Sequence, residues 1–244
     1  MENERMIHFF GPDGAGKTTQ VKILVRFLNN RGMLARGFWV RSPHTLAYVL
    51  WRLFIRIGFY RTMWNPFGVG IKIPAVDRNR ILRSFWVTTE FFSVLPHVIR
   101  ARILMSKGYI LVSERYLLDT ITTVAFFVKD LNFVKGRLAR ILIRFIPRNA
   151  ILIFIDADFE TILERRTPLF LERMQKASAL TRSSNRRQIY GYVQDNVVEP
   201  QEFIDFQRKA YKMLAKSLGA FEIYSPDFSV AETFEMILRF LEAN

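Results

Sequence analysis

The chain has 244 residues, half of them hydrophobic, no cysteine and a formal net charge of +14. That length and apolar share suffice for one substantial core and predict a single domain over 1–244 with an inserted segment. Lack of cysteine excludes disulfides, thiolate metal sites and cysteine nucleophiles, and fits a reducing cytoplasm.

The first five residues, Met-Glu-Asn-Glu-Arg, put acidic groups ahead of only five apolar residues, so no signal sequence is expected. No uncharged apolar run approaches the roughly 18 residues of a membrane span, which leaves a soluble or peripheral protein. The positive charge points to anionic partners, whether nucleotides, nucleic acid or an anionic membrane. Its excess concentrates in 26–61, 78–102 and 165–187, where a solvated basic face is the plainer explanation for many of the side chains.

In chain order, 6–10 (Met-Ile-His-Phe-Phe) is an apolar run of buried-strand type. Residues 11–18 then read Gly-Pro-Asp-Gly-Ala-Gly-Lys-Thr, a complete Gly-x4-Gly-Lys-Thr phosphate loop. A polyphosphate needs converging N–H donors, and only glycines let the backbone approach so closely. Gly11, Gly14 and Gly16 supply that freedom, with Asp13 and Ala15 between them. Lys17 is placed for the β and γ phosphates of ATP and the Thr18 hydroxyl for Mg²⁺. Thr19 extends the start of a helix whose apolar positions Val21, Leu24 and Leu28 recur at helical spacing until Arg31-Gly32.

Four further strands are predicted at 34–40, 109–113, 150–155 and 220–224, separated by helical pattern. This alternation specifies an α/β fold of the P-loop NTPase kind: a five-stranded parallel sheet with helices on both faces and a mobile lid. Ligands of such sheets bind beyond the carboxyl ends of the strands. Three groups fall there: Arg41-Ser42-Pro43, Glu114-Arg115-Tyr116 and Asp156-Ala157-Asp158. Arginine suits phosphoryl oxygens, and Glu114 is a candidate for Mg²⁺. A structural ion pair for Arg115 and a helix cap for Asp156 stand as alternatives. Residues 157–200 turn polar and basic, with Arg165, Arg166 and Arg173, as a lid closing on ATP or an ordinary solvated loop would.

Between 46 and 73, Tyr48, Trp51, Phe54, Phe59, Tyr60, Trp64 and Phe67 interleave with Arg52, Arg56 and Arg61. Arg52 and Arg56 share one helical face while Val49, Leu53 and Ile57 line another, read as an apolar underside. Core, a dimer surface and an anionic membrane are all compatible with it. The segment 137–145 raises the same question more weakly.

Taken together, the ordered motifs resemble thymidylate kinase and its relatives among the P-loop nucleoside and nucleotide kinases. The resemblance is carried by 10–19, Arg41-Ser42-Pro43, Gly108 with 112–116, 155–166 and Phe206-Gln207-Arg208-Lys209-Ala210-Tyr211. It implies an ATP- and Mg²⁺-dependent kinase acting on a nucleoside monophosphate, dTMP first, and a homodimer. Asp13 matches the loop carboxylate near the acceptor's sugar hydroxyl, and Arg41 and Arg115 match the arginines that hold its phosphate. Ala15 replaces a basic residue within the loop, which in the family assigns catalysis to lid arginines, here Arg165 and Arg166 with Arg173 next.

The chain departs from the pattern in three places. Glu114 stands for aspartate, Pro43-His44-Thr45 for Pro-Gly-Gly-Thr, and no arginine occurs near Ser93 and Val94, where the thymine-reading one would fall. Phe91 and Phe92 are the candidates to stack on a base, or else belong to the core. Rival expectations are a kinase for a nucleoside or a membrane-associated metabolite, and a non-metabolic P-loop ATPase or nucleic-acid-driven switch. No helix-turn-helix, finger or single-strand-binding signature accompanies the basic runs, which argues against nucleic acid.

Overall fold

The computed structural model describes residues 6–40, 42–43, 45–181 and 198–243. Strands β1 (Met6–Phe10) and β2 (Ala35–Trp39) flank helix α1 (Lys17–Asn30), and α2 (Thr45–Arg56) leads into a hairpin of β3 (Tyr60–Trp64) and β4 (Gly70–Pro74). The long α3 (Arg80–Ser106) precedes β5 (Ile110–Glu114), α4 (Leu117–Phe127) and α5 (Arg137–Ile143). The chain closes with β6 (Ile151–Asp156), α6 (Phe159–Thr181), α7 (Gln201–Leu218), β7 (Phe221–Tyr224) and α8 (Val230–Glu242).

The main sheet has the order β2-β5-β1-β6-β7, and every pairing within it is parallel. The five strands predicted from apolar runs are these five. Their side chains alternate between two cores, because a sheet covered on both faces must bury both sets. Met6, Phe10, Leu111 and Phe154 meet α3, α4 and α7 on one face. Ile7, Phe9, Val112, Ile153 and Ile223 meet α1, α8 and the start of α6 on the other. β1 lies centrally and is buried throughout, so the loop that follows it leaves from the middle of the carboxyl edge.

A third apolar cluster lies beneath α2 and the hairpin, with Phe54, Met63 and Ile73 packed on Trp86, Phe126 and Phe127. The hairpin was not anticipated from the sequence. Its turn is nonetheless explicit there, since Asn65-Pro66-Phe67-Gly68 separates two β-rich runs. Asn65 Oδ1 accepts from the backbone N–H groups of Phe67 at 3.0 Å and Val69 at 2.7 Å, and Gly68 takes a φ of 72°.

α2 also narrows the alternatives for its aliphatic stripe. It buries Ala47 and Phe54, while Val49, Leu53 and Ile57 face outward, so the stripe is not core. The packed side of the helix is the one carrying the bulky Phe54 ring, which fits the third cluster, and the aliphatic stripe is left over.

His8, fully buried in β1, sits with Nδ1 2.8 Å from Ser113 Oγ, and burial pushes its pKa down from 6.5 to about 3. The unfolded chain therefore takes up a proton below pH 6.5 that the folded chain refuses until about pH 3. Stability should fall as pH drops through that window, by up to about 1.4 kcal/mol per pH unit from this residue. Urea midpoints measured between neutrality and mild acid should decline less steeply in His8→Gln than in the native chain.

Candidate active site

The carboxyl ends of β1, β2 and β5 deliver the centre of the site. After β1 the backbone of the phosphate loop takes positive φ at Gly11 (140°), Gly14 (97°) and Gly16 (101°). At Gly11 a Cβ would lie 2.0 Å from the Ile155 carbonyl oxygen, so the loop lies directly against β6 and admits no side chain there. Gly16 begins α1 with no side-chain cap, and the helix has no acidic residue in its first turn, which leaves its positive end available to an anion. Ala15 is buried beneath the loop, and the Thr19 side chain points to solvent.

Lys17 is 3% exposed and its Nζ donates to the Pro12 carbonyl at 2.6 Å, so the ammonium spans the loop from within. Burial pushes its pKa down to about 8 despite Asp13, 4.0 Å away. Thr18 Oγ1 donates to Glu114 Oε1 at 2.7 Å, joining the start of α1 to the end of β5.

Arg115 follows Glu114 with a φ of 55°, a left-handed conformation that is strained for a side-chain-bearing residue. Its Nη2 lies 2.5 Å from Asp13 Oδ1. Burial opposes the guanidinium charge, but Asp13, Asp119 and Glu114 together outweigh it and raise the pKa. Asp119, in the first turn of α4, accepts from the Tyr211 hydroxyl at 3.0 Å. Arg115 is thus a buried cation held by carboxylates from the phosphate loop, β5 and α4.

Beyond Arg115 opens a cavity of about 1170 Å³. Asp13, Arg115, Asp119 and Gln207 line its polar end, and Trp39, Trp51, Phe126, Phe127 and Phe203 line its walls, with the hairpin on the outer side. The amide oxygen of Gln207 and the indole N–H of Trp51 are buried there without a hydrogen-bond partner among the described residues. Neither Asp119 nor Gln207 was singled out for the site from the sequence. They come from helices far apart in the chain; Gln207 falls within the 206–211 stretch that carries the resemblance, though without an assigned role, and no local pattern marks Asp119.

The other expected residues are distributed as follows. Arg165 donates to Ser225 through Nη1 to Oγ at 2.9 Å and Nη2 to the carbonyl at 3.0 Å, which ties it to the end of β7. The Arg166 stem lies over the phosphate loop, its Cδ 3.2 Å from where a Cβ on Gly14 would stand. Asp156 makes a bidentate pair with Arg208, at 2.8 and 2.9 Å, and meets Lys212 at 3.0 Å. The cap once weighed for Asp156 belongs to Asp158, whose Oδ1 accepts from the Thr161 N–H at 2.7 Å.

Phe92 is exposed on α3, Phe91 packs against the main core, and neither lines the cavity. Arg41, His44 and residues 182–197 of the expected lid lie outside the described residues, as does the side chain of Arg173; 159–181 are helical. Ser93, where a base-reading arginine was sought, is buried and holds the start of α2. Its Oγ accepts from the Ala47 N–H at 3.0 Å, and its carbonyl accepts from Thr45 Oγ1 at 3.2 Å.

Comparison with solved structures finds thymidylate kinase from Candida albicans, at 14% identity and a TM-score of 0.54, over 99% of this chain and 92% of that one. The chain has the thymidylate kinase fold. No protein-family model and no curated protein matches the sequence. The likeness to thymidylate kinase is therefore one of architecture, and it spans nearly the whole of both chains.

Proposed function

We propose that the protein is an ATP- and Mg²⁺-dependent kinase that transfers a γ-phosphoryl group to a nucleoside monophosphate, with dTMP the first acceptor to test. The observation that carries this reading is the Arg115 guanidinium, fixed between the phosphate loop and the polar end of the cavity. A free-standing ATPase has no use for a buried arginine facing a second large chamber. An acceptor that already bears a phosphate gives that arginine its partner.

In this reading the phosphate loop and Lys17 hold ATP, and Arg115 grips the acceptor phosphate with Arg41 as its expected companion. Asp13 orients Arg115 and faces the acceptor's sugar. A phosphate oxygen of the acceptor forms the new bond to the γ phosphorus while the bond to the departing ADP oxygen breaks. That oxygen is nucleophilic near neutral pH, so positioning and charge neutralisation suffice and no strong general base is required. Arg166, over the loop, is better placed than Arg165 to add positive charge there.

Mg²⁺ fits the donors present. The Thr18 hydroxyl and Glu114 carboxylate are adjacent, and among the described residues no cluster of three acidic or histidine side chains forms a closed cage. That suits an ion that keeps water and phosphate oxygens as ligands. When bound it neutralises charge on the transferring phosphate.

A coupled ADP-release assay over nucleoside monophosphates and nucleosides tests the reading. Turnover should be confined to monophosphates, with dTMP ahead; a nucleoside outpacing its monophosphate would remove the clamp role of Arg115. The apolar walls favour one variation, an acceptor bulkier than a pyrimidine, which the same panel extended to larger monophosphates would reveal.

A homodimer also fits. Ile81, Phe85, Phe92, Ile99 and Ile103 form an exposed ridge along α3, beside uncharged Ser84 and Thr88. Replacing Phe85 and Phe92 together by glutamate should leave a monomer in sedimentation velocity.

A further inference from the structure

Helix α2 carries a second exposed ridge, and its surroundings differ from those of α3. Leu46, Val49, Leu53 and Ile57 are 50 to 64% exposed and recur three or four residues apart, which aligns them along one side of the helix. Arg52 and Arg56 are exposed beside them, and Trp64, at the end of β3, is 67% exposed. No aspartate or glutamate occurs between Asp13 and Asp77, while lysine and arginine recur throughout that stretch.

These features restrict the occupant. A second copy related by two-fold symmetry would bring the same arginines together with no carboxylate from this stretch to pair them. An anionic lipid surface satisfies every component. Its acyl boundary takes the aliphatic ridge, its phosphates and carboxylates take the guanidinium groups, and tryptophan favours the interface between the two. No helix among the described residues is long and apolar enough to cross a membrane, so the contact would be peripheral.

We propose that the outer face of α2 and the adjoining hairpin form a docking surface for an anionic bilayer. Arg52, Leu53 and Arg56 belong to this face and also line the cavity, so docking would bring the cavity mouth to the membrane surface. The proposal concerns binding alone and stands apart from the kinase reading.

The test is co-sedimentation of the full chain with phosphatidylcholine vesicles, with and without phosphatidylserine. Binding should require phosphatidylserine and weaken as salt is raised. Val49→Glu combined with Ile57→Glu, neither of which lines the cavity, should lower partitioning by about tenfold or more while the thermal midpoint holds. Brominated phosphatidylcholine should quench tryptophan emission in the native chain and do so less in Trp64→Phe, which keeps the test independent of the double variant's folding. Absence of binding to phosphatidylserine vesicles, or binding indifferent to these substitutions, overturns the proposal. So does a change of oligomeric state in the double variant without lipid, which would assign the face to self-association.

Discussion

Lys17→Met should abolish phosphoryl transfer, by about a thousandfold or more, in a protein that remains folded. The two halves of this expectation have separate causes. The ammonium is the cation inside the loop, and its removal takes away charge that the transferring phosphate requires. Stability, by contrast, gains little from it, because its hydrogen bond to the Pro12 carbonyl is set against the cost of burying the charge. Burial has already pushed the Lys17 pKa down from 10.5 to about 8, so at neutral pH the folded state carries a proton under protest. Methionine keeps the aliphatic stem and omits the buried charge, and Asp13 retains Arg115. The thermal midpoint should therefore be unchanged or slightly higher, while the ADP-coupled assay falls to background. A folded, active Lys17→Met protein would refute the kinase assignment.

Arg115→Ala should behave differently, losing transfer and a substantial part of the fold's stability. The guanidinium offsets Asp13 and Asp119, both 2% exposed, as well as Glu114. Removing one partner of a buried ion pair costs about 3 to 5 kcal/mol, because the carboxylates left behind are neither solvated nor matched. For a chain of this size that corresponds to a fall of roughly 10 °C in the melting midpoint. Asp13→Asn introduced into Arg115→Ala should restore part of the loss without restoring transfer. Arg115→Lys keeps the charge but not the planar fork, and should return stability more fully than activity. A neutral midpoint in Arg115→Ala would show that the carboxylates find water instead.

How far the sequence discloses this molecule depends on whether a feature is local. The phosphate loop is contiguous and its glycines answer a backbone demand, so it is legible from eight residues. β1, β5 and β6 are legible because burial on both faces makes each a nearly continuous apolar run, whereas the edge strands β2 and β7 are legible from shorter apolar stretches beside exposed residues. What covers the aliphatic stripe of α2 stayed open for a related reason: periodicity reveals that Val49, Leu53 and Ile57 share a side, but not whether anything packs against it. Aromatic bulk at Phe54, packed on Trp86, decides that question in three dimensions. Asp119 with Tyr211, and Asp156 with Arg208, join residues brought together only by the crossover connections of the sheet. No spacing rule reaches across such distances. The hairpin turn was local and readable, and was obscured by the helical pattern that precedes it.

Ser93 carries a consequence for selectivity. With that position given to anchoring a helix, no arginine addresses a base from it, and the chamber's broad walls are aromatic and aliphatic, with donors such as the Trp51 indole N–H and the Gln207 amide set among them. Aromatic and aliphatic surfaces sort molecules by bulk, and a methylene more or less changes the preference by only about ten- to two-hundredfold. An enzyme so built would accept a family of similarly shaped acceptors, and grafting arginine onto Ser93 would loosen the helix before it taught the pocket to read.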